Sequence, residues 1–596
     1  VITNVHLSQH SPQWKQQSQF LHSGIAAIAH GAAPPHSKPY DHHHIIVSTL
    51  ADIIVADDRS PEMSTTTTTP PHKTAPSGFL GRIEQLGNRL PDPFWIFAFL
   101  AIIVAISSWI GSAIGMTAVN PQDGSTVEVT NLLTKEGATK MVSEAVNNFV
   151  AFPPLGVIIT VMLGVPVAEH SGFISALVRA MVAKVGPKTL TYVVALAGVT
   201  GSIASDAVYV ILIPLGAMSF RALGRSPIVG AMVAFAASSA GFNASLILNI
   251  TDVLLSGIST SAAQLVDPEY HVSPLANYFF VVASSLVLAL IITAVTELFV
   301  KNRARQLVDH DHIDHSELSF RDDDHPDLGA KTDEELAEEI ALHSGEIRAL
   351  TIAGVAFIGM LAVYFALLFV PASPFYSEES AMSSPLVKAV TVPISLMFLG
   401  LGVVYGITIK SITSLGDIPA FMAKGLTTLI PMVVLFFMVS QFLAWFQWSN
   451  LGIWTAIKGA ELLQRWDLPV YVLFAAVVLA VALLNLTITS GSAQWALMAP
   501  VIVPMMMYVG ISPEVTQMLF RIGDSPTNII TPMSPYFALA LTFLQRYYKP
   551  AGVGTLVSLA LPYSIAMLVG WFVFFIVWYA LGVPLGPGTP MHFQQG

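Results

Sequence analysis

Asn485–Tyr536 reads NLTITSGSAQWALMAPVIVPMMMYVGISPEVTQMLFRIGDSPTNIITPMSPY, and the rest of the chain is read from it. An ordinary membrane-spanning helix is an unbroken apolar run. Here the apolar residues are interrupted by Ser490-Gly491-Ser492, by Pro500 and Pro504, and by Gly-Asp-Ser-Pro-Thr-Asn at 523–528. Gly costs ordering entropy and Pro removes a backbone donor, so neither holds a regular helix well. Broken backbone at membrane depth survives only where protein or a water-filled cavity satisfies its polar groups. Arg521 and Asp524 also stand among apolar neighbours. Intramembrane charges are expensive and mark functional positions. The stretch therefore reads as half of a substrate site.

Composition sets the class. Hydrophobic residues make up 54% of the chain and charged residues 11%, the balance of a polytopic membrane protein. The formal net charge is −11, but many of the acids crowd into 309–339. There is no basic footprint for nucleic acid. With no cysteine, disulfides, thiolate metal sites and cysteine nucleophiles are excluded. The sequence has no HExxH pair, no GxSxG and no Walker loop, which argues against a membrane enzyme and an ATP-driven pump. A channel or receptor is the remaining alternative to a carrier.

Residues 1–62 are His-rich and irregular, and read as a disordered upstream extension, with translation expected to begin at Met63. The run His42-His43-His44 reads as a stretch without structural role in preference to a metal tract. Residues 63–92 form a leader and an amphipathic segment. The first membrane half is expected over 93–305, with spans at Pro93–Met116, Phe152–Ala168 and 275–300, and broken apolar stretches at 189–219 and 228–258. A polar segment, 117–148, interrupts it. The acidic loop, 306–347, carries Asp322-Asp323-Asp324 with His310, His312 and His315, and reads as a solvated, partly helical segment in preference to a metal site. The second half, 348–584, has spans near 349–370, 388–409, 427–446 and 555–582. Residues 585–596 are a tail. Lys and Arg cluster at 73–89, 179–188, 221–225, 301–305 and 410–424, which places the N-terminus and the acidic loop in the cytoplasm.

The other half of the site appears at 200–249. Ser202 placed on Ser492 puts Ser205 on Trp495 and Pro214 on Pro504 without a gap. Phe235 placed on Phe520 puts Ser239 on Asp524 and Asn243 on Asn528. Each half thus has a Gly/Ser turn, an apolar arm ending in Pro, and a broken helix with an Asn near its break. Interrupted apolar segments at matching places in two halves point to a secondary transporter's binding site. Exposed N–H groups at helix starts attract carboxylate or sulfonyl oxygens, and carbonyls at helix ends can hold a cation.

Five segments carry a resemblance: VPVAEHSGF (165–173), GSIASDAVYVILIPLGAM (201–218), FNASLILNITD (242–252), TSGSAQWALMAPVIVPM (489–505) and RIGDSPTNIITPMSPY (521–536). From about Gly78 to Pro584 the chain resembles the aminobenzoyl-glutamate transporter (AbgT) family. The resemblance implies an all-α inner-membrane homodimer. Each protomer would have about nine transmembrane helices and two re-entrant helical hairpins in an inverted repeat, near 198–225 and 480–510. It implies transport of p-aminobenzoyl-glutamate or proton-driven export of sulfonamide antimetabolites, with no cofactor beyond the coupling ion. Asp206 and Ser205 would lie at the first hairpin and Ser492 and Trp495 at the second. Pro513, Arg521, Asp524 and Pro532 would lie on the helix after it.

Two readings stand for several of these residues. Asp206 has no basic neighbour in sequence, and a carboxylate costly to bury charged is what a proton carrier needs. Otherwise it caps the hairpin tip. Arg521 and Asp524 share a helical face. Either they form a structural ion pair, or Arg521 grips a substrate carboxylate while Asp524 takes a proton. Trp495 either stacks on an aromatic ring or packs. Ser492, Asn243 and Asn528 either bind substrate or satisfy freed backbone, and Asn243 with Asn528 would also suit Na⁺. Gly201, Ser205, Gly491, Pro513 and Pro532 read as hinge or structural positions. Glu169, at a span end, is a weaker candidate.

Overall fold

The computed structural model describes residues 91–593 apart from 122–123, 183–184, 187, 205–206, 224, 308–341, 379 and 533. The expectations for 1–62, for the leader up to residue 90, for most of the acidic loop, and for Ser205 and Asp206 lie outside the described residues.

Helix α1 (Pro93–Ala113) starts where Asp92 Oδ1 accepts the Phe94 N–H at 2.8 Å, with Pro93 at a position that needs no donor. The polar segment after it is structured. Strands β1 (Thr117–Val119) and β2 (Thr126–Glu128) pair antiparallel, and α2 (Lys135–Ser143) and α3 (Ala145–Val150) follow. The first half continues with α4 (Pro153–Val161), α5 (Val165–His170), α6 (Phe173–Val182), α7 (Leu190–Thr200), α8 (Ala207–Ala222), α9 (Pro227–Ala240), α10 (Ile250–Ala263) and α11 (Tyr278–Val295). A π turn, Thr296–Val300, carries α11 on to Leu307.

The second half has α12 (Ser344–Phe369), α13 (Thr391–Ile409), α14 (Asp417–Thr428), α15 (Ile430–Trp448), α16 (Leu451–Trp466), α17 (Val470–Asn485), α18 (Gly491–Tyr508), α19 (Pro513–Asn528), α20 (Pro535–Tyr547) and α21 (Val553–Ala580). α12 begins four residues before the expected 348. Glu346 accepts the His343 N–H and also pairs with Arg179 at 2.6 Å, so a polar first turn is held in the helix. Among the described residues, seven helices are long and apolar enough to cross a membrane. Six more apolar helices are only 10–17 residues long.

The same order of elements occurs twice. α7, a turn, α8, α9, a break and α10 correspond to α17, a turn, α18, α19, a break and α20. α9 and α19 both start at Ser-Pro, Ser226-Pro227 and Ser512-Pro513. They also occupy the centre: every residue of α9 is buried, and so is every residue of α19 from Pro513 to Thr527. α7, α8 and α11 pack on α9, while α17, α18 and α21 pack on α19. α8 and α9 cross so closely that a Cβ on Gly230 would lie 2.3 Å from the Gly216 carbonyl oxygen. The apolar composition of α9 explains its burial. α19 carries Glu514, Gln517, Arg521 and Asp524 into the same interior, and each needs a partner there.

The expected tail is partly built in. Leu585 is buried and accepts the Phe280 N–H at 3.0 Å, and the Phe593 N–H donates to Gly510 at 3.0 Å. The segment crosses the start of α19, where His592 bridges Ile511.

Candidate functional site

The break after α9, residues 241–249, meets the C-terminal half of α19. Asn243 Nδ2 donates to Asp524 Oδ2 at 2.8 Å, and the Asn243 N–H donates to Ser525 Oγ at 3.0 Å. From the other side Asn485, the last residue of α17, offers Nδ2 to the Asp524 carbonyl, Thr527 Oγ1 and Asn528 Oδ1 at 2.7–2.8 Å. Asn243 follows the end of α9 and Asn528 closes α19, and each binds a different neighbour. Gly491, the first residue of α18, abuts the carboxylate, and a Cβ there would lie 3.3 Å from both Asp524 oxygens. Asp524 Oδ1, Asn243 Oδ1 and Asn485 Oδ1 are buried and receive no hydrogen bond from the protein. That is a group of acceptors without donors, the reverse of an anion pocket.

Arg521 corrects one reading. Its ion pair is with Asp252, not with Asp524. Nη1 lies 2.6 Å from Asp252 Oδ1 and 3.4 Å from the Asn243 carbonyl, and both side chains are almost fully buried (1% and 5% exposed). The pairing has a local cause. Asp252 is the third residue of α10, and Asn249 caps that helix reciprocally. Asn249 Oδ1 accepts the Asp252 N–H and Asp252 Oδ2 accepts the Asn249 N–H. This fixes the carboxylate in front of the guanidinium. Asn249 Nδ2 reaches back to Ser202 Oγ at 3.2 Å, tying the cap to the 3₁₀ turn Gly201–Ala204. Arg521 Nε is buried without a partner.

Trp495 is fully buried one turn into α18. Its ring packs on Phe520 with centroids 4.6 Å apart, and Nε1 donates to Ser259 Oγ at 3.0 Å. A polar chain continues from there. Ser259 donates to Gln517 Oε1, Gln517 to Asn277 Oδ1 and Asn277 to the Glu514 carbonyl, while the Tyr270 hydroxyl donates to the Glu514 carboxylate. Ser492 is half-buried beside Ser490, 3.3 Å away. Pro513 starts α19 and Pro532 lies in the break that follows it. Gly201 lies so close to α8 that a Cβ would meet Val208 at 2.4 Å. Glu169 stays at a span end, in the last turn of α5.

The residue reading left out Asp252, Asn485, Ser259 and Gln517. One signal was available. Asn249 and Asp252 have the spacing of a capping box, which announces a helix start inside the FNASLILNITD segment. Ser259 and Gln517 carry no such mark, because a partner 258 residues away leaves no local pattern.

A family model of AbgT transporters matches residues 78–593. The chain belongs to the AbgT family of transporters. The AbgT chain is 35% identical over 521 residues to the p-aminobenzoyl-glutamate transport protein of Escherichia coli K12, covering 87% of this chain and 98% of that protein. It is also similar to two solved AbgT-type structures. The Neisseria gonorrhoeae MtrF structure, described as illuminating a class of antimetabolite efflux pumps, superimposes with a TM-score of 0.78. The two are 40% identical, and the match covers 86% of this chain and all of that one. The Alcanivorax borkumensis YdaH transporter, described as having an unusual topology, gives 0.74 at 36% identity over 83% of this chain and all of that one. Among the described residues of the AbgT chain, no group of three or more His, Asp or Glu is placed to hold a metal ion.

Proposed function

We propose that this AbgT chain is a secondary active transporter of the bacterial inner membrane, coupled to a proton and working as a homodimer with its N-terminus in the cytoplasm. Its substrate is an aromatic carboxylate such as p-aminobenzoyl-glutamate, a sulfonamide-type antimetabolite, or both. One observation carries the reading. Where the two halves meet, Asp524 Oδ1 and Asn243 Oδ1 are buried and accept no hydrogen bond from the described residues, which supports uptake of a cation there. A proton on Asp524 satisfies it. Na⁺ held by the same oxygens is the second reading, favoured by the neutral amide oxygen beside the carboxylate. Asp206, four residues after Ser202 in sequence, is proposed as the partner carboxylate for the proton.

In this reading the turns before α8 and α18 are the tips of two re-entrant hairpins. Arg521 grips the substrate carboxylate, with Ser492 as a neutral hydrogen-bonding group. Trp495 is 0% exposed and packed on Phe520, so it forms the wall behind the substrate ring.

The test is uptake of p-aminobenzoyl-glutamate and of a sulfonamide into proteoliposomes, with H⁺ and Na⁺ gradients imposed separately. The proton reading expects accumulation under a pH gradient alone. In Asp206→Asn and Asp524→Asn, gradient-driven accumulation disappears while exchange of bound substrate persists. Accumulation that follows only the Na⁺ gradient would replace the proton with Na⁺. Labelled substrate that shows no counterflow would mean a pore and overturn the carrier reading.

A further inference from the structure

The Arg521–Asp252 pair has a consequence for what the site can accept. The guanidinium is spent on one side only: Nη1 holds Asp252 while Nε is buried and free. Asp252 cannot swing away, because its second oxygen and its own N–H are locked to Asn249, which is tied to Ser202. The charged groups described in this interior are Arg521 and Asp524 from α19 and Asp252 from α10, with Glu514 at the start of α19, where its carboxylate accepts from the Tyr270 hydroxyl. Tyr278 is a neutral titratable neighbour, its hydroxyl donating to the Leu246 carbonyl. One cation thus faces two carboxylates, and a further carboxylate arriving at Arg521 Nε would meet a site already short of positive charge.

We propose that Asp252 is a fixed internal counter-carboxylate that occupies half of the Arg521 clamp, so that a carboxylate ligand binds there only together with a cation, while an uncharged ligand needs none. Asp252 is then a specificity-determining residue. It turns a plain anion trap into a site where carboxylate and cation enter together, because the cation on the Asp524 cluster restores the balance. Without Asp252, Arg521 alone would balance the ligand and the linkage would be lost. The inference rests on the reading of Arg521 as the carboxylate grip.

The experiment is equilibrium binding to the purified full chain across the neutral pH range. The probes are p-aminobenzoyl-glutamate and sulfanilamide, which is uncharged there. For the parent, affinity for p-aminobenzoyl-glutamate falls by ~tenfold per pH unit, the slope for one proton taken up with the ligand. Sulfanilamide binding stays level. Asp252→Asn preserves the helix cap and removes the charge. It should bind p-aminobenzoyl-glutamate at least as tightly at high pH as the parent does at low pH, with a flattened slope, and bind sulfanilamide like the parent. Equal weakening of both ligands, or the parental slope retained, overturns the proposal.

If Asp252→Asn does not fold, the pair is removed together as Asp252→Asn with Arg521→Gln. That protein should keep sulfanilamide binding and lose p-aminobenzoyl-glutamate, and parental affinity for both ligands would overturn the proposal. Arg521→Gln alone separates the two levels. Parental p-aminobenzoyl-glutamate binding in that variant removes the grip itself. Its loss there, with the parental slope kept in Asp252→Asn, removes only the role of Asp252.

Discussion

Ser259 shows how much one hydroxyl can carry in this interior. It accepts from Trp495 and donates to Gln517, so Ser259→Ala strands an indole N–H and an amide oxygen at once. The expected cost is about 1–3 kcal/mol. It is read as a lower unfolding midpoint in detergent, with Ser259→Thr restoring it. No change in Ser259→Ala would mean that the two partners find replacements. Gly491→Ala should act in the opposite sense. Helix propensity alone favours Ala by up to ~1 kcal/mol, yet the new methyl would press on both Asp524 oxygens. Transport should fall while the midpoint holds or rises, and a variant that transports normally would show that the carboxylate has room to spare. Arg521→Ala should destabilise by about 3–5 kcal/mol, because it leaves the buried carboxylate of Asp252 without its cation. At this scale the sequence was informative about which residues matter and silent about their partners. Arg521 and Asp524 stand out because charge is rare among apolar neighbours. That Arg521 turns to Asp252 depends on a helix cap on a distant element.

α9 and α19 are related by position in the repeat and opposite in chemistry. Both are sealed inside, but α9 does so with apolar residues and α19 with polar ones that must each be matched. Their breaks were legible as Gly, Ser, Pro and Asn clusters, since those residues disfavour regular helix for local reasons. The strands β1 and β2 were not legible: three residues each, in a polar segment, give too short an alternation to register. The crossing of α8 and α9 supplies a prediction of its own. Gly230→Ala places a methyl 2.3 Å from the Gly216 carbonyl oxygen and 2.8 Å from the Phe220 ring, so the helices must part. Overpacking of this kind costs about 1–3 kcal/mol. The same substitution at Gly354 of α12, where a Cβ meets nothing, should hold or raise the midpoint. A similar midpoint for both variants would show that the crossing can open without penalty.

The two membrane halves share one interior, and the acidic loop joins them. Deleting 309–339 should leave transport largely intact, because the Asn243–Asp524, Asp252–Arg521 and Ser259–Trp495 contacts of the candidate site all lie outside it. A shortened protein that inserts and assembles normally yet transports nothing would give the loop a direct part in the cycle. The recurrence of matched turns was visible in sequence. The fact that neither half is complete was not, since the closing pairs join residues 236 to 282 positions apart. The ion pair at the centre has a consequence in time. Asp252 is made 269 residues before Arg521. At the usual ~5–20 residues per second, the ribosome takes roughly 13–54 s to supply the cation after its carboxylate. Through that interval α10 carries a charge with no counterpart, and it is cheaper for that helix to wait near water than to bury itself. Burial of α10 is therefore expected to become favourable only once α19 has been made.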